Sequence, residues 1–234
     1  TAAAVTISLV FSIVPAIISY YNCDKMVLSL NHARPATREQ YLQLSVLLEN
    51  LCIASGLPMP KLYVIEDRSP NAFATGRNPE HAVICVTTGL LEKLDKYELE
   101  GVLAHEMAHI KNYDILLSTV VSVFVGLVVI LSDITSRFAF RGRRKSSDSG
   151  SKLDIVIAII AILFMILSPI FATLMQLAIS RKREFLADAT GVEFTRNPQG
   201  LIDALTKISE DTAKPTYTAN KATAHMYISS PLKG

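Results

Sequence analysis

Twenty-six consecutive residues, Ile155 to Ser180, carry no charged side chain. A helix that crosses the hydrocarbon core of a bilayer needs about 20 apolar residues, within a range of about 17–25. A run this long and this uniformly apolar reads as membrane-embedded rather than as a core helix, with Pro169 marking a kink. Two further runs share the property. Thr1 to Tyr21 precedes the first charged residue, Asp24, and ends in Tyr20-Tyr21, where an aromatic belt would lie. It lacks the basic start of a signal peptide. Ile115 to Ser132 is uncharged over eighteen residues, at the lower limit for a span. The expected organisation is therefore transmembrane helices at 1–21, 115–132 and 153–180, with an aqueous domain split into 22–114 and 181–234 and a loop at 133–152.

Composition removes several other classes. Half the residues are hydrophobic and 19% are charged, which excludes a disordered chain. A net charge of +2 leaves no electrostatic footprint for nucleic acid. Cys23, Cys52 and Cys85 form no C-x-x-C, so neither a disulfide framework nor a cysteine zinc site is readable. Loop 133–152 concentrates Arg137, Arg141, Arg143, Arg144, Lys145 and Lys152, which suits contact with lipid headgroups of the bilayer.

Residues 22–114 have the punctuation of a folded domain. Thr37 and Gln40 have capping-box spacing, which predicts a helix from there to Gly56 with Tyr41, Leu44, Leu48, Leu51 and Cys52 on its apolar face. Residues 61–66, 71–75 and 82–87 read as short strands between turn residues. Asp95 and Glu98 form a second capping box, opening a helix through the 100s. Residues 181–212 read as helical, with Asn197-Pro198 starting the second helix there. The predicted class is mainly α with a small sheet, α+β.

The chemistry lies in His105-Glu106-Met107-Ala108-His109. On a helix, i and i+4 project from one face, so both imidazoles reach one zinc ion. Glu106 stands beside them, placed to deprotonate a zinc-bound water whose pKa the metal lowers to about 7. A catalytic zinc needs a third protein ligand and an open position. Asn112 and Ile115 exclude the pattern H-E-x-x-H-x-x-G-x-x-H. Glu184 is the better third ligand than His32, His81 or His225. Asp188, at i+4 from it, can hold a ligand histidine by its free N–H. Taken alone, Glu184 is equally a solvated charge at a membrane boundary.

H-E-M-A-H, followed by R-K-R-E-F-L-A-D and preceded by N-A-F-A-T-G at 71–76, resembles the HtpX family of membrane zinc metallopeptidases, Glu-zincins related to the CAAX prenyl proteases. The resemblance covers nearly the whole chain in order. It implies a zincin-like domain with transmembrane helices in the inner membrane, multi-pass, with a cytoplasmic active site. It implies one zinc ion held by His105, His109 and Glu184, Glu106 as general base and Asp188 on a ligand histidine. Asn71, Ala72, Phe73, Ala74 and Thr75 would form an edge strand that pairs with an extended substrate. The implied role is quality control under stress, cutting misfolded or damaged membrane proteins. The family pattern adds a second hydrophobic segment ahead of this one and a His-Pro region beyond, so a truncated chain is expected.

Three further expectations come from the residues. Seventy-five positions separate His109 from Glu184, and both later apolar runs lie between them, so the chain must leave the metal site and return to the same side. His225, or Tyr227, would give a second donor to the oxyanion if the C-terminal segment folds back over the zinc. A site-2-type intramembrane protease is disfavoured by the charged approach Asp95, Lys96, Glu98, Glu100, and an inactive scaffold with a structural metal by the lack of a fourth ligand.

Overall fold

Val83–Thr87 is buried at every position, and it forms the strand around which the domain is built. A strand covered on both faces needs apolar side chains on both, and Val83-Ile84-Cys85-Val86 supplies them without alternation. The structure is a computed structural model and describes residues 21–22, 24–122, 180–212 and 226–228. Four strands, β1 (Arg34–Pro35), β2 (Lys61–Ile65), β3 (Ala72–Thr75) and β4 (Val83–Thr87), pair in the order β1-β2-β4-β3. β2 and β4 run parallel; the other two pairings are antiparallel. The three predicted strands are present within a residue of the expected ends.

The helices are α1 (24–30), α2 (Leu42–Ser55), α3 (Thr88–Lys93), α4 (Lys96–Lys111), α5 (114–122), α6 (Arg181–Thr195) and α7 (Pro198–Glu210). α2, α4, α6 and α7 join Ile84 and Val86 in the main core, whereas Val83, Cys85 and Phe73 on the opposite sheet face pack with Val27 and Leu28 of α1. α2 ends at Gly56, whose left-handed φ of 72° places its N–H on the Cys52 carbonyl, as expected of a C-terminal glycine.

The predicted capping box at Thr37 and Gln40 does not form. Tyr41, at φ −128° and ψ 51°, separates a turn closed by Tyr41 N–H to the Thr37 carbonyl from the helix proper, which begins at Leu42 with no side-chain cap. The Asp95–Glu98 box does form, and Lys207 of α7 adds an ion pair to the buried Glu98. Asn197 caps α7 as its Asn-Pro start predicts.

α4 crosses α6 and α7 at backbone contact. A Cβ on Gly101 would lie 2.6 Å from the Leu201 nitrogen, and one on Gly191 would lie 3.1 Å from the His105 nitrogen. The first approach admits only glycine unless the helices move apart, and the second leaves a side chain little room. The run expected to start a span at Ile115 begins as α5 packed against the domain. Thr119 Oγ1 meets Thr75 Oγ1 at 2.9 Å and accepts from the Gly76 N–H. The remainder of that run, residues 1–20, the basic loop and all of 153–179 lie outside the described residues. Among the described residues no helix is long and apolar enough to cross a membrane.

Candidate metal centre

α4 is buried along most of its length, and its sequence places His105, Glu106 and His109 where the helix meets α6 and the end of β3. His105 Nε2 and His109 Nε2 stand 3.1 Å apart with their rings nearly perpendicular. Glu184, in the first turn of α6, brings Oε2 to 3.6 Å from one and 3.7 Å from the other. The chain therefore does return to His109 after its long excursion. Among the described residues these three side chains form a group whose ligand atoms all lie within 4.8 Å of one another.

The orientation of each imidazole is set from behind. Asp188 Oδ1 lies 2.9 Å from His105 Nδ1, off the line of the ring N–H, so the contact is an electrostatic one rather than an aligned hydrogen bond. Asp114 Oδ2 lies 3.1 Å from His109 Nδ1 and accepts from it. A carboxylate accepts and does not donate, so Asp114 holds the hydrogen on His109 Nδ1 and the charge of Asp188 favours it on His105 Nδ1, which leaves the two Nε2 atoms to face each other. Two lone pairs aimed at one point need a proton or a cation between them. The edge of a zinc tetrahedron with ligand distances of about 2.0–2.1 Å is about 3.3–3.4 Å, so the three separations fit that ion.

Charge follows the same geometry. Burial pulls the His105 imidazolium down, but Asp188, Glu184 and Glu106 outweigh it and raise it to about 9. Burial also opposes the charge on His109, which Asp114, Glu184 and Glu106 raise to about 10. The same two histidines hold the Glu184 carboxyl well below the usual carboxylate range. Burial pushes Glu106 up, His105 and His109 pull it down, and the Ala74 N–H, which donates to its carboxylate, pulls it down further.

Asn71 to Thr75 lie at the sheet edge nearest this cluster, and all five are buried. Thr87 N–H bonds the Asn71 carbonyl, so Phe73 and Thr75 also face β4 while Ala72 and Ala74 turn their backbone groups outward. The Ile228 N–H takes the Ala72 carbonyl at 3.0 Å. Tyr227 packs its ring edge-on to Phe73 and donates its hydroxyl to Asn31 Oδ1, on the sheet face opposite α4. Residues 226–228 thus lie along β3, and the Tyr227 hydroxyl, held by Asn31 on the far sheet face, does not stand over the metal cluster as the expected oxyanion donor. His225 lies outside the described residues. Asp114 is the residue that sequence reasoning missed.

Residues 38–231 match the family described as Peptidase family M48. A Protease HtpX homolog of Dictyoglomus thermophilum is 48% identical over 216 residues, 92% of this chain and 70% of that one. Another, from Listeria monocytogenes, is 47% identical over 226 residues, 93% of this chain and 74% of that one. The crystal structure of S. mikatae Ste24p shares the fold, with a TM-score of 0.51 and 22% identity, over 86% of this chain and 49% of that one. The match over most of its length and the identity to these proteases establish that the chain belongs to peptidase family M48.

Proposed function

We propose that the protein is a zinc endopeptidase of the membrane, with His105, His109 and Glu184 as metal ligands and Glu106 as general base. The observation that carries the reading is the convergence of those three side chains beside the buried Glu106 carboxylate. A zinc ion at this position supplies a Lewis acid that acidifies water and polarises a peptide carbonyl. Glu106 takes the proton that water loses as its oxygen attacks the scissile carbonyl carbon. It returns that proton to the amide nitrogen as the C–N bond breaks. Its raised pKa suits both transfers, and the nearby Ala74 N–H favours its charged form.

The substrate backbone would lie along the outer edge of β3, residues 71–75, adding as an extended strand. That position is consistent with Ala74 on Glu106 and requires the Ile228 contact to yield. His225 would be the second donor to the oxyanion. The apolar runs between His109 and Glu184 support a site at a membrane surface, and the resemblance to HtpX proteases supports the cytoplasmic face of the inner membrane. Misfolded or damaged membrane proteins are the proposed substrates, in keeping with the similarity to proteases named HtpX homologs.

The test compares zinc content and casein cleavage in the full chain and in Glu106→Gln. The variant is expected to keep zinc and to lose about 10²–10⁴-fold in rate. Activity within tenfold of wild type removes Glu106 as the base.

A further inference from the structure

Asp114 engages two partners with its two oxygens. Oδ2 accepts from His109 Nδ1 at 3.1 Å, and Oδ1 lies 3.6 Å from Arg183 Nε. The side chain is 12% exposed, so water screens neither contact strongly. Its place in the chain is unusual. α4 stops at Lys111, and Tyr113, at a left-handed φ of 60°, turns the chain so that Asp114 opens α5 while its carboxylate reaches back five residues to the ligand. Arg183 immediately precedes the third ligand, Glu184. Asp114 therefore touches both halves of the metal cluster, one directly and one through the guanidinium. It does so at the point where the chain leaves for its apolar excursion and the point where it comes back.

We propose that Asp114 is the positioning residue for His109, holding the imidazole with hydrogen on Nδ1 and the Nε2 lone pair on the metal, and that Arg183 fixes the Asp114 carboxylate. This rests on the zinc-peptidase reading above. Asp188 serves His105 from α6, so each histidine has its own carboxylate, and the two are supplied from opposite ends of the excursion. An acceptor behind a ligand histidine fixes ring and tautomer and raises its basicity, and losing one costs about 10–100-fold in metal affinity.

The test measures zinc affinity of the detergent-solubilised full chain by chelator competition, together with the thermal midpoint of the metal-free protein and the visible spectrum after cobalt substitution. Asp114→Ala and the isosteric Asp114→Asn are both expected to weaken zinc about 10–100-fold and to shift the cobalt spectrum, with the metal-free midpoint of Asp114→Asn unchanged. Arg183→Ala is expected to weaken zinc in the same direction by less. Tyr113→Gly, which removes the side chain but keeps the left-handed turn that aims the carboxylate, is expected to leave zinc affinity as it is. Zinc affinity of Asp114→Asn within twofold of wild type, with an unshifted cobalt spectrum, overturns the assignment alone. A wild-type chain that takes up no zinc overturns both the assignment and the reading beneath it.

Discussion

The backbone N–H of Ala74 donates to the side chain of Glu106, joining the last strand of the sheet to the residue placed to move protons. Ala74 turns its N–H away from β4, so removing that donor takes no rung from the ladder. The hydrogen bond favours the charged carboxylate and lowers its pKa. Ala74→Pro is therefore expected to raise that pKa, moving the acid limb of the kcat/KM profile to higher pH and lowering kcat. A pH–rate profile that coincides with wild type would disconnect Ala74 from the base.

Glu184 and Asp188 sit one turn apart on α6 but meet different atoms of the cluster, and their removal should differ. Glu184→Ala deletes a proposed ligand and is expected to leave the purified protein with markedly less zinc than wild type. Asp188→Ala deletes a partner of His105 Nδ1 and is expected to cost about 10–100-fold in affinity. Full occupancy in Glu184→Ala, read by elemental analysis, would move the third ligand elsewhere.

Metal loading should release protons. In the metal-free protein the surrounding carboxylates raise both His105 and His109 above neutrality, and the 3.1 Å between their Nε2 atoms fits one proton held between them, so at neutral pH the pair carries at least one proton that zinc must displace. Ligation requires both nitrogens bare. Affinity should then rise with pH until the pair is deprotonated and fall on acidification, by about tenfold per pH unit for each proton displaced. Calorimetric titration at pH 7 in buffers of different ionisation enthalpy is expected to give at least about one proton per zinc. Release near zero would show that the histidines are already neutral.

Gly101→Ala drives a methyl to 2.6 Å from the Leu201 backbone, which cannot swing aside as a side chain could. The helices must separate, and overpacking of this kind costs about 1–3 kcal/mol. A lowered thermal midpoint is expected, and an unchanged one would mean that α7 shifts freely. Gly191→Ala forces a smaller adjustment, at 3.1 Å from the His105 nitrogen, so its effect should appear in zinc affinity before it appears in stability.

Much of this was legible in the chain because its signals are local. The Asp95–Glu98 box, the Asn197 cap and the i, i+4 spacing of His105 and His109 each depend on a single turn of helix, where periodicity alone sets what meets what. Glu184 and Asp188 could be paired for the same reason. Asp114 could not. At i+5 from His109 it falls on a different face of a continuous helix, and only the left-handed turn at Tyr113 returns it. A non-glycine residue gives no sign that it will adopt that conformation. The Thr37–Gln40 box failed in the opposite sense, because its spacing was right but Tyr41 breaks the chain between turn and helix. The docking of Ile228 on Ala72 joins residues 156 positions apart, beyond the reach of any local pattern.

The bridge from His109 to Glu184 closes a loop whose entropic cost scales only with the logarithm of its length. Doubling the length of a chain segment that closes a contact adds only about 0.6 kcal/mol. The segment between the two ligands can thus lengthen or shorten with little penalty to the site, provided that Asp114 and Arg183 still meet at its neck. The geometry of the metal cluster and the length of the intervening segment are in this way separable: the first is set by side chains within a few ångströms of one another, and the second is free to be rewritten.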